Sequence, residues 1–143
     1  MTKETHMLIS TKGRYALRVI IDIAAHDQDE YIPLGEVADR QGISKKYLEA
    51  IIKDLVQAGI VKGVRGKGGG YKLSKSPEEC TAWDVIHATE DNFVTVSCVT
   101  NENFDCPQKS ECRTMPMWTE LDKTLKEFFS KYTIKDLIES GTY

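Results

Sequence analysis

Residues 41–74 read QGISKKYLEAIIKDLVQAGIVKGVRGKGGGYKLS, and this stretch contains the pattern that decides the fold. Gly42 adopts positive φ at little cost, which predicts a tight turn, and Ser44 is a favourable N-cap for a following helix. That helix is predicted to run to about Ala58, with Gly59 at its C-cap position, because apolar side chains recur on one of its faces. These side chains are Leu48, Ile51, Ile52 and Leu55.

A β-hairpin is predicted directly after this helix. Two short extended segments, 60–65 and 71–74, flank the glycine-rich sequence GKGGG at 66–70. The loop carries Arg65 and Lys67 at or beside its tip and is too rich in glycine to pack into a core. The hairpin therefore predicts an exposed, cationic wing.

Two helices are predicted upstream of the turn. Apolar residues at helical spacing predict a helix over 12–26, with Lys12 and Arg14 at its exposed end, and a shorter helix over 34–40. A helix, a short helix, a glycine turn, a longer helix and a two-stranded wing, in this order, indicate a winged helix-turn-helix. The predicted fold class is therefore mainly α with a small β-wing.

The helix after the turn is predicted to enter the DNA major groove with its N-terminal end, where polar side chains cluster. Lysine contacts phosphate or guanine edges, serine contacts either, and glutamate accepts from the cytosine amino group. The wing would lie along the backbone or in the minor groove, where glycine permits close approach. An alternative stays open, since some helix-turn-helix modules bind only protein. The candidate DNA-binding residues are Lys12, Arg14, Ser44, Lys45, Lys46, Tyr47, Glu49, Arg65, Lys67 and Gly68.

The formal net charge is −3, but the charge is distributed unevenly. Residues 1–75 contain 13 Lys and Arg against 9 Asp and Glu, whereas residues 76–143 contain 6 against 13. A basic N-terminal half beside an acidic C-terminal half predicts that only the first half faces a polyanion, here double-stranded DNA.

The composition predicts a folded protein of the cytoplasm. Hydrophobic residues make up 41% and charged residues 29%, which excludes long disorder. The sequence contains no run approaching the ~18 apolar residues of a membrane span, and residues 1–6 lead into no apolar core of a signal peptide. We therefore expect no membrane partner.

Three further helices are predicted in the second half. Residues 81–84 resemble a capping box that starts a helix ending at about Glu90, and residues 134–140 predict a short closing helix. Between them, a two-heptad apolar seam predicts a long helix, and a second copy of the chain would cover that seam. The alternative is that the seam packs on its own domain. Its residues are Trp118, Leu121, Leu125, Phe128 and Tyr132.

The aperiodic stretch 91–113 contains Cys98, Cys106 and Cys112. A cytosolic protein does not need disulfides, so cysteines clustered in a loop indicate metal binding or redox chemistry. Thiolates bind iron and zinc readily, but the chain has no CxxC pair, which gives a zinc ribbon little support. From spacing alone, a metal site, a redox switch and ordinary thiols all stay open. Cys80 precedes a predicted helix start and is expected to be a small, semi-buried apolar residue.

Two stretches resemble the Rrf2 family of bacterial winged-helix transcription regulators. They are ISTKGRYALRVIIDIA at 9–24 and the sequence from Gln41 to Pro77, in which VRGKGGGYKL closely resembles the family's wing. The resemblance extends from Leu8 to about Tyr132. It implies a homodimer that binds inverted-repeat operators, with the long C-terminal helix forming much of the dimer contact.

The same resemblance assigns a role to the cysteines. Family members that bind an iron–sulfur cluster carry three cysteines at this place, so Cys98, Cys106 and Cys112 are implied to hold a 2Fe–2S or 4Fe–4S cluster. The positions of the fourth ligand in two kinds of relative are Met115 and Arg14 here, and neither fits that role. The other candidates for that role are a solvent thiol, His87, Glu102, Asp105 and Glu111.

The sequence therefore predicts a winged helix-turn-helix at 7–90, a cysteine-bearing cluster loop at 91–113, and a dimerisation helix with a tail at 114–143. The predicted function is transcription regulation that senses iron–sulfur, redox or nitric oxide status. The alternative is a cluster-free regulator that uses the cysteines as a thiol switch or as zinc ligands. A thiol redox enzyme is disfavoured, because no cysteine pair has redox spacing and no acid–base–nucleophile set is visible.

Overall fold

A computed structural model describes residues 9–26, 29–90 and 106–140. These residues form a mainly helical fold with one two-stranded antiparallel sheet, which confirms the predicted fold class. Within these ranges no helix is long and apolar enough to cross a membrane. The elements are α1 (Thr11–His26), α2 (Leu34–Gln41), α3 (Lys45–Gln57), β1 (Val61–Val64), β2 (Gly70–Leu73), α4 (Ala82–Thr89), a 3₁₀ turn (Lys109–Glu111), α5 (Met115–Ser130) and α6 (Ile134–Glu139).

One hydrophobic core lies between α1, α3 and α4. The predicted apolar face of α3 is buried there against the apolar face of α1. The cations Arg14 and Arg18 lie on the exposed side of α1. Helix α4 adds Val85, and Ile134 at the start of α6 closes the far side. Each of these helices buries one apolar face, which is why apolar residues recur in them at helical spacing. The fully buried side chains include Val19, Ile20, Ile23, Leu48, Ile51 and Leu55.

The turn between α2 and α3 has the predicted geometry. Gly42 has φ 63°, and the amide of Ile43 donates to the carbonyl of Ala38 at 3.2 Å. The Ser44 hydroxyl accepts a 3.2 Å hydrogen bond from the amide of Tyr47, so Ser44 is the N-cap of α3. These contacts fix the direction in which α3 leaves the turn.

The C-terminal end of α3 differs slightly from the prediction. The C-cap residue is Ala58, and Gly59 follows it with φ 75°. Amides of Gly59 and Ile60 donate to carbonyls of Val56 and Leu55, each at 3.0 Å, which is the Schellman arrangement. The chain then turns directly into β1.

The wing is anchored to the body by a third extended segment. Strands β1 and β2 pair antiparallel, with Val61 opposite Leu73, and Tyr71 also forms a two-way bridge with Ile32, with N–O distances of 2.8 Å. At Gly70, where φ is 147°, a Cβ would collide with the carbonyl oxygen of Ile32. Glycine is therefore needed for the wing to approach the segment before α2.

The predicted capping box starts α4. Thr81 Oγ1 accepts from the amide of Asp84 at 3.2 Å, and Asp84 Oδ2 accepts from the amide of Thr81 at 3.0 Å. After α5 the chain returns to this point, because the Ala82 amide donates to the Tyr132 carbonyl at 2.8 Å. The C-terminal end of α5 is therefore close to the start of α4.

Candidate nucleic-acid interface and cysteine segment

The N-terminal end of α3 presents a set of exposed polar side chains: Ser44, Lys45, Lys46 and Glu49 are exposed. Tyr47, from the same predicted set, is half-buried, and its ring meets Tyr15 of α1 edge-on at 5.9 Å. Tyr47 therefore also packs α3 against α1, which the sequence did not reveal.

The two α1 cations predicted to contact DNA have different surroundings. Lys12 Nζ forms an ion pair with Asp54 Oδ2 of α3. Arg14 is exposed, and its Nη2 donates to Thr11 Oγ1 at 3.2 Å. Arg14 is therefore the cation of this pair that faces solvent, while Lys12 also links α1 to the last turn of α3.

A buried polar network behind the turn was not predicted. Asp22 in α1 is only 4% exposed, and its carboxylate accepts hydrogen bonds from Arg40 and Gln41 at the end of α2. The shortest of these join Arg40 Nη2 to Oδ1 at 2.7 Å and Gln41 Nε2 to Oδ2 at 2.8 Å. Arg18 Nη2 in turn donates to the carbonyl oxygen of Gln41 at 2.8 Å. The residue just before the Gly42 turn is therefore held from two sides.

The ionisation of Asp22 follows from these contacts. Burial alone raises the pKa of this carboxyl, but the hydrogen bonds from Arg40 and Gln41 and the charge of Arg40 outweigh it, so the pKa lies below its ordinary value. Asp22 therefore remains charged at neutral pH. The one sequence signal for this role was an acidic residue on the apolar side of α1, between Ile21 and Ile23.

The wing tip is exposed as predicted. Arg65, Lys67 and Gly68 are all exposed. The tip is shaped by glycine, because the amide of Gly69 donates to the carbonyl of Gly66 at 3.0 Å. Two cations therefore project from a tight turn at the far end of the hairpin.

Two of the three cysteines predicted to bind a metal fall within the described residues. Cys106 and Cys112 flank the 3₁₀ turn, are half-exposed and form no disulfide, whereas Cys98 lies outside the described residues. Hydrogen bonds from the hydroxyl and amide of Thr114 lower the pKa of the Cys112 thiol, whose Sγ lies 3.4 Å from Thr114 Oγ1. Thiolate is the form that binds iron and zinc, so this donor set fits a metal cluster chemically.

The remaining thiol is of another kind. Cys80 is 4% exposed, and burial raises the pKa of its thiol to about 11. This confirms the expectation that Cys80 acts as a small apolar residue, and buries it more fully than predicted.

Of the proposed fourth ligands within the described residues, Glu111 lies beside these cysteines, because it ends the 3₁₀ turn and directly precedes Cys112. Residues 9–26, 29–90 and 106–140 contain no group of three candidate metal ligands. His87 is exposed and stacks on Trp83, with 5.2 Å between ring centroids, and Met115 begins α5. Glu102 and Asp105 lie outside the described residues.

The long helix α5 has no fully buried residue, and the residues of its predicted seam differ in exposure. Trp118 and Leu125 are half-buried. Leu121 and Phe128 are 40% and 46% exposed, and Tyr132, just beyond the helix, is 40% exposed. Met117 is also exposed, so the exposed apolar side chains on and just after α5, among the described residues, are Met117, Leu121, Phe128 and Tyr132.

A contact between the two ends of the winged domain was also not predicted. Glu90, the residue after α4, accepts hydrogen bonds through Oε1 from the amide and hydroxyl of Ser10, at 2.7 and 2.8 Å. Gly13 lies so close that a Cβ there would collide with this carboxylate. The start of α1 is thus joined to the residue from which the cysteine segment departs.

Comparison with known proteins agrees with this architecture. A sequence profile of the Rrf2 family, described as iron-dependent transcriptional regulators, matches residues 9–140. The HTH-type transcriptional regulator IscR of Pectobacterium carotovorum is 35% identical over 134 residues, which is 94% of this chain and 80% of that protein.

Two solved structures show the same fold. The IscR structure from T. potens has a TM-score of 0.72 at 30% identity and covers 96% of this chain and 90% of its own. CymR, the global cysteine regulator of B. subtilis, has a TM-score of 0.74 at 31% identity and covers 96% of this chain and 100% of its own. These relatives are regulators and not enzymes. This chain belongs to the Rrf2 family of transcriptional regulators.

Proposed function

We propose that the protein is a homodimeric transcription regulator that binds a double-stranded DNA operator and responds to the state of an iron–sulfur cluster on its cysteine segment. The observation that carries the DNA-binding part is the leading end of α3. Ser44, Lys45, Lys46 and Glu49 are exposed there, and the network around Asp22 holds the turn behind them. A rigid helix with donors and acceptors at its first turns suits base recognition in the major groove.

We expect the protein to act in the cytoplasm and its operator to be an inverted repeat. Two copies related by a two-fold axis present two α3 helices, and a symmetric protein matches a symmetric site. The exposed face of Met117, Leu121, Phe128 and Tyr132 supports the dimer, because a second copy of α5 would remove it from water.

The cluster would be held by Cys98, Cys106 and Cys112. Cys106 and Cys112 are half-exposed, as expected of cysteines that bind a cluster, and the pKa of Cys112 is lowered, which favours the thiolate. A bound 2Fe–2S or 4Fe–4S cluster supplies redox chemistry and reactivity with small oxidants such as oxygen and nitric oxide. Cys106 and Cys112 would be the ligands among the described residues, whereas Cys80 is excluded because its buried thiol is protonated at neutral pH.

Glu90 is the residue through which the cysteine segment would act on the DNA-binding domain. Its carboxylate holds Ser10 at the start of α1, and α1 carries Asp22 and Lys12, which contact α2 and α3. A change in the segment that moves Glu90 would alter the position of α1. A ligand-dependent switch requires such a difference in contacts between two states.

Anaerobically purified protein tests this proposal directly. We expect bound iron and sulfide in nearly equal amounts, a visible absorption band, and selection of two-fold symmetric duplexes from a random pool. Removal of the cluster with a chelator should change the affinity for the selected duplex. Colourless protein without iron after anaerobic reconstitution would eliminate the cluster while leaving the DNA part to the duplex selection.

A second candidate is a regulator of the same family that uses the thiols directly. The lowered pKa of Cys112 favours it, since a thiolate is the nucleophile in thiol oxidation, and a relative of known structure is a cysteine regulator. Mass spectrometry after mild peroxide treatment, together with zinc analysis, distinguishes this candidate. It predicts oxidation at Cys112 or bound zinc, in protein that contains no iron.

A further inference from the structure

A second cationic surface lies at the base of the wing, away from its tip. Lys62 of β1 stands directly opposite Lys72 of β2. Their strand neighbours Val61 and Leu73 are buried, so the alternation of a strand puts both lysines on the outer face. Like charges directly opposite in an antiparallel pair destabilise a hairpin. The pair therefore lowers the stability of the hairpin, and a bound anion would offset this repulsion.

These lysines line a cavity of about 310 Å³ between the hairpin and the segment after it. Lys75 also lines this cavity, as do the hydroxyl residues Ser74 and Ser76. Asp29 is the one acidic residue of this lining, so the lining contains three lysines and one carboxylate. Hydroxyls beside lysines form a donor set that suits a tetrahedral oxyanion.

The lysines are available for a ligand. Among the residues described, Lys62, Lys72 and Lys75 are not in an ion pair with any carboxylate. Lys72 is positioned by Tyr31, since its Nζ lies 5.3 Å from the ring centroid. A lysine held over an aromatic face has already given up part of the freedom that binding would otherwise remove.

We propose that this wing-base cavity binds a phosphate group and that, when the protein is on DNA, the group is a backbone phosphate outside the bases that α3 contacts. The inference rests on the proposed DNA-binding function. Lys62 in β1 and the tip cation Arg65, directly after the end of β1, are three residues apart, or roughly 10 Å along extended chain. Successive phosphates of one DNA strand are spaced by about 3.4 Å along the helix axis. Along the strand itself consecutive phosphates are farther apart than this axial rise, so a wing lying along the backbone would place its tip and its base against phosphates about one to three nucleotides apart.

The main test compares two duplexes, the selected operator alone and the same operator extended on both sides. The variant Lys62→Gln/Lys72→Gln removes two charges at the cavity, and Lys126→Gln/Lys131→Gln removes two exposed charges on and just after α5 as the matched control. We expect the cavity variant to lose affinity mainly on the extended duplex and to lower the slope of log affinity against log salt by about one to two units. The control should retain the parent slope.

A second arm identifies the source of the phosphate. Inorganic phosphate is titrated against chloride at matched ionic strength, and backbone amide signals of residues 74–76 are followed by NMR. If the cavity variant binds the extended duplex more weakly and the amide signals show no saturable shift with inorganic phosphate, the result supports the DNA backbone as the source of the phosphate. A saturable shift with an unchanged DNA slope supports the phosphate site but overturns DNA as its source. If neither is seen, the site itself is overturned.

A failure of the proposed DNA-binding function would give a different result in these experiments from a failure of the phosphate site. If the parent protein binds no duplex of any sequence, DNA binding fails for parent, variant and control alike. The phosphate titration then decides the cavity by itself, since it needs no DNA.

Discussion

Arg40 Nη2 donates a 2.7 Å hydrogen bond to Asp22 Oδ1, and this contact joins the last turn of α2 to a nearly buried position in α1. Neither residue belongs to the set of side chains predicted to contact DNA. Their importance lies in orientation, because α2 leads through Gly42 directly into α3. The direction of the recognition helix thus depends on a charged contact behind it.

Replacing Asp22 with Asn should destabilise the fold and weaken operator binding. The amide cannot accept the two-pronged bond from Arg40, and hydrogen bonds to charged groups contribute about 1.5–3 kcal/mol. Because the Arg40 side chain is 31% exposed, the expected loss of stability is at the lower end, about 1–2 kcal/mol. Urea unfolding measures it, with Asp39→Asn on the exposed side of α2 as the control. Equal stability of the two variants would contradict this role.

The same hydrogen bond predicts how stability depends on pH. The pKa of Asp22 is lower in the folded protein than its ordinary value of 3.8, so its contribution is present above that value and is lost as pH falls through the folded pKa. The stability difference between parent and Asp22→Asn should be constant from about pH 5 to 7 and shrink below about pH 4. A difference that grew on acidification would show the opposite sign.

Lys45 and Lys46 are expected to contact DNA through the leading end of α3. The double variant Lys45→Ala/Lys46→Ala should reduce operator affinity and lower the salt slope by about one unit for each phosphate that a lysine no longer neutralises. Fluorescence anisotropy at several salt concentrations measures both. Lys53→Ala, an exposed lysine two turns later in α3, is the control and should bind like the parent. Parent-like binding by the double variant would remove α3 from the interface.

The wing tip is expected to provide affinity without choosing bases. Arg65 and Lys67 lie on a glycine-rich turn, which suits contacts to phosphate better than fixed bidentate contacts to bases. Arg65→Ala/Lys67→Ala should weaken binding to all duplexes and leave the selected sequence unchanged. Selection from a random pool checks this, and a new preferred sequence would mean that the tip reads bases.

The dimer prediction is best tested on the exposed face of α5. Leu121→Asp/Phe128→Asp should give monomers by light scattering at micromolar concentration, because two charges would be buried in the contact. Leu125→Asp is a weaker test, since Leu125 is half-buried within its own chain and its replacement would also affect folding. Val56→Asp, at a 42% exposed position of α3, is the control. Dimers that persist with both charges present would place the interface elsewhere.

Three of the four cysteines are expected to bind the cluster, and Cys80 is expected not to. Serine is a harder ligand that is rarely deprotonated, so Cys98→Ser, Cys106→Ser and Cys112→Ser should each lose or destabilise the visible absorption after anaerobic reconstitution. Cys80→Ala should retain it, and alanine is preferred to serine there because the position is buried. Loss of the band in Cys80→Ala with the fold intact by circular dichroism would reverse the assignment.

Much of the fold was predictable because the signals are local. The N-cap Ser44, the positive φ of Gly42 and the capping box of Thr81 and Asp84 each depend on residues within four positions. The wing followed from glycines between two apolar runs. The resemblance to a known family added the expected roles of the cysteines, and the comparisons confirmed the family itself.

The helices, the two strands of the wing, the N-caps of α3 and α4, and the polar side chains at the front of α3 were all predictable from the sequence alone. The pairing of Lys12 with Asp54 and the contact between Glu90 and Ser10 appear only in the folded chain. The same is true of the uneven exposure of the α5 seam, in which Leu121 and Phe128 are exposed while Trp118 and Leu125 are half-buried. The physical reason is distance along the chain. Caps and periodicity are properties of neighbouring residues, whereas the partner of a charge and the cover of an apolar face are set by elements that meet only after the chain has folded.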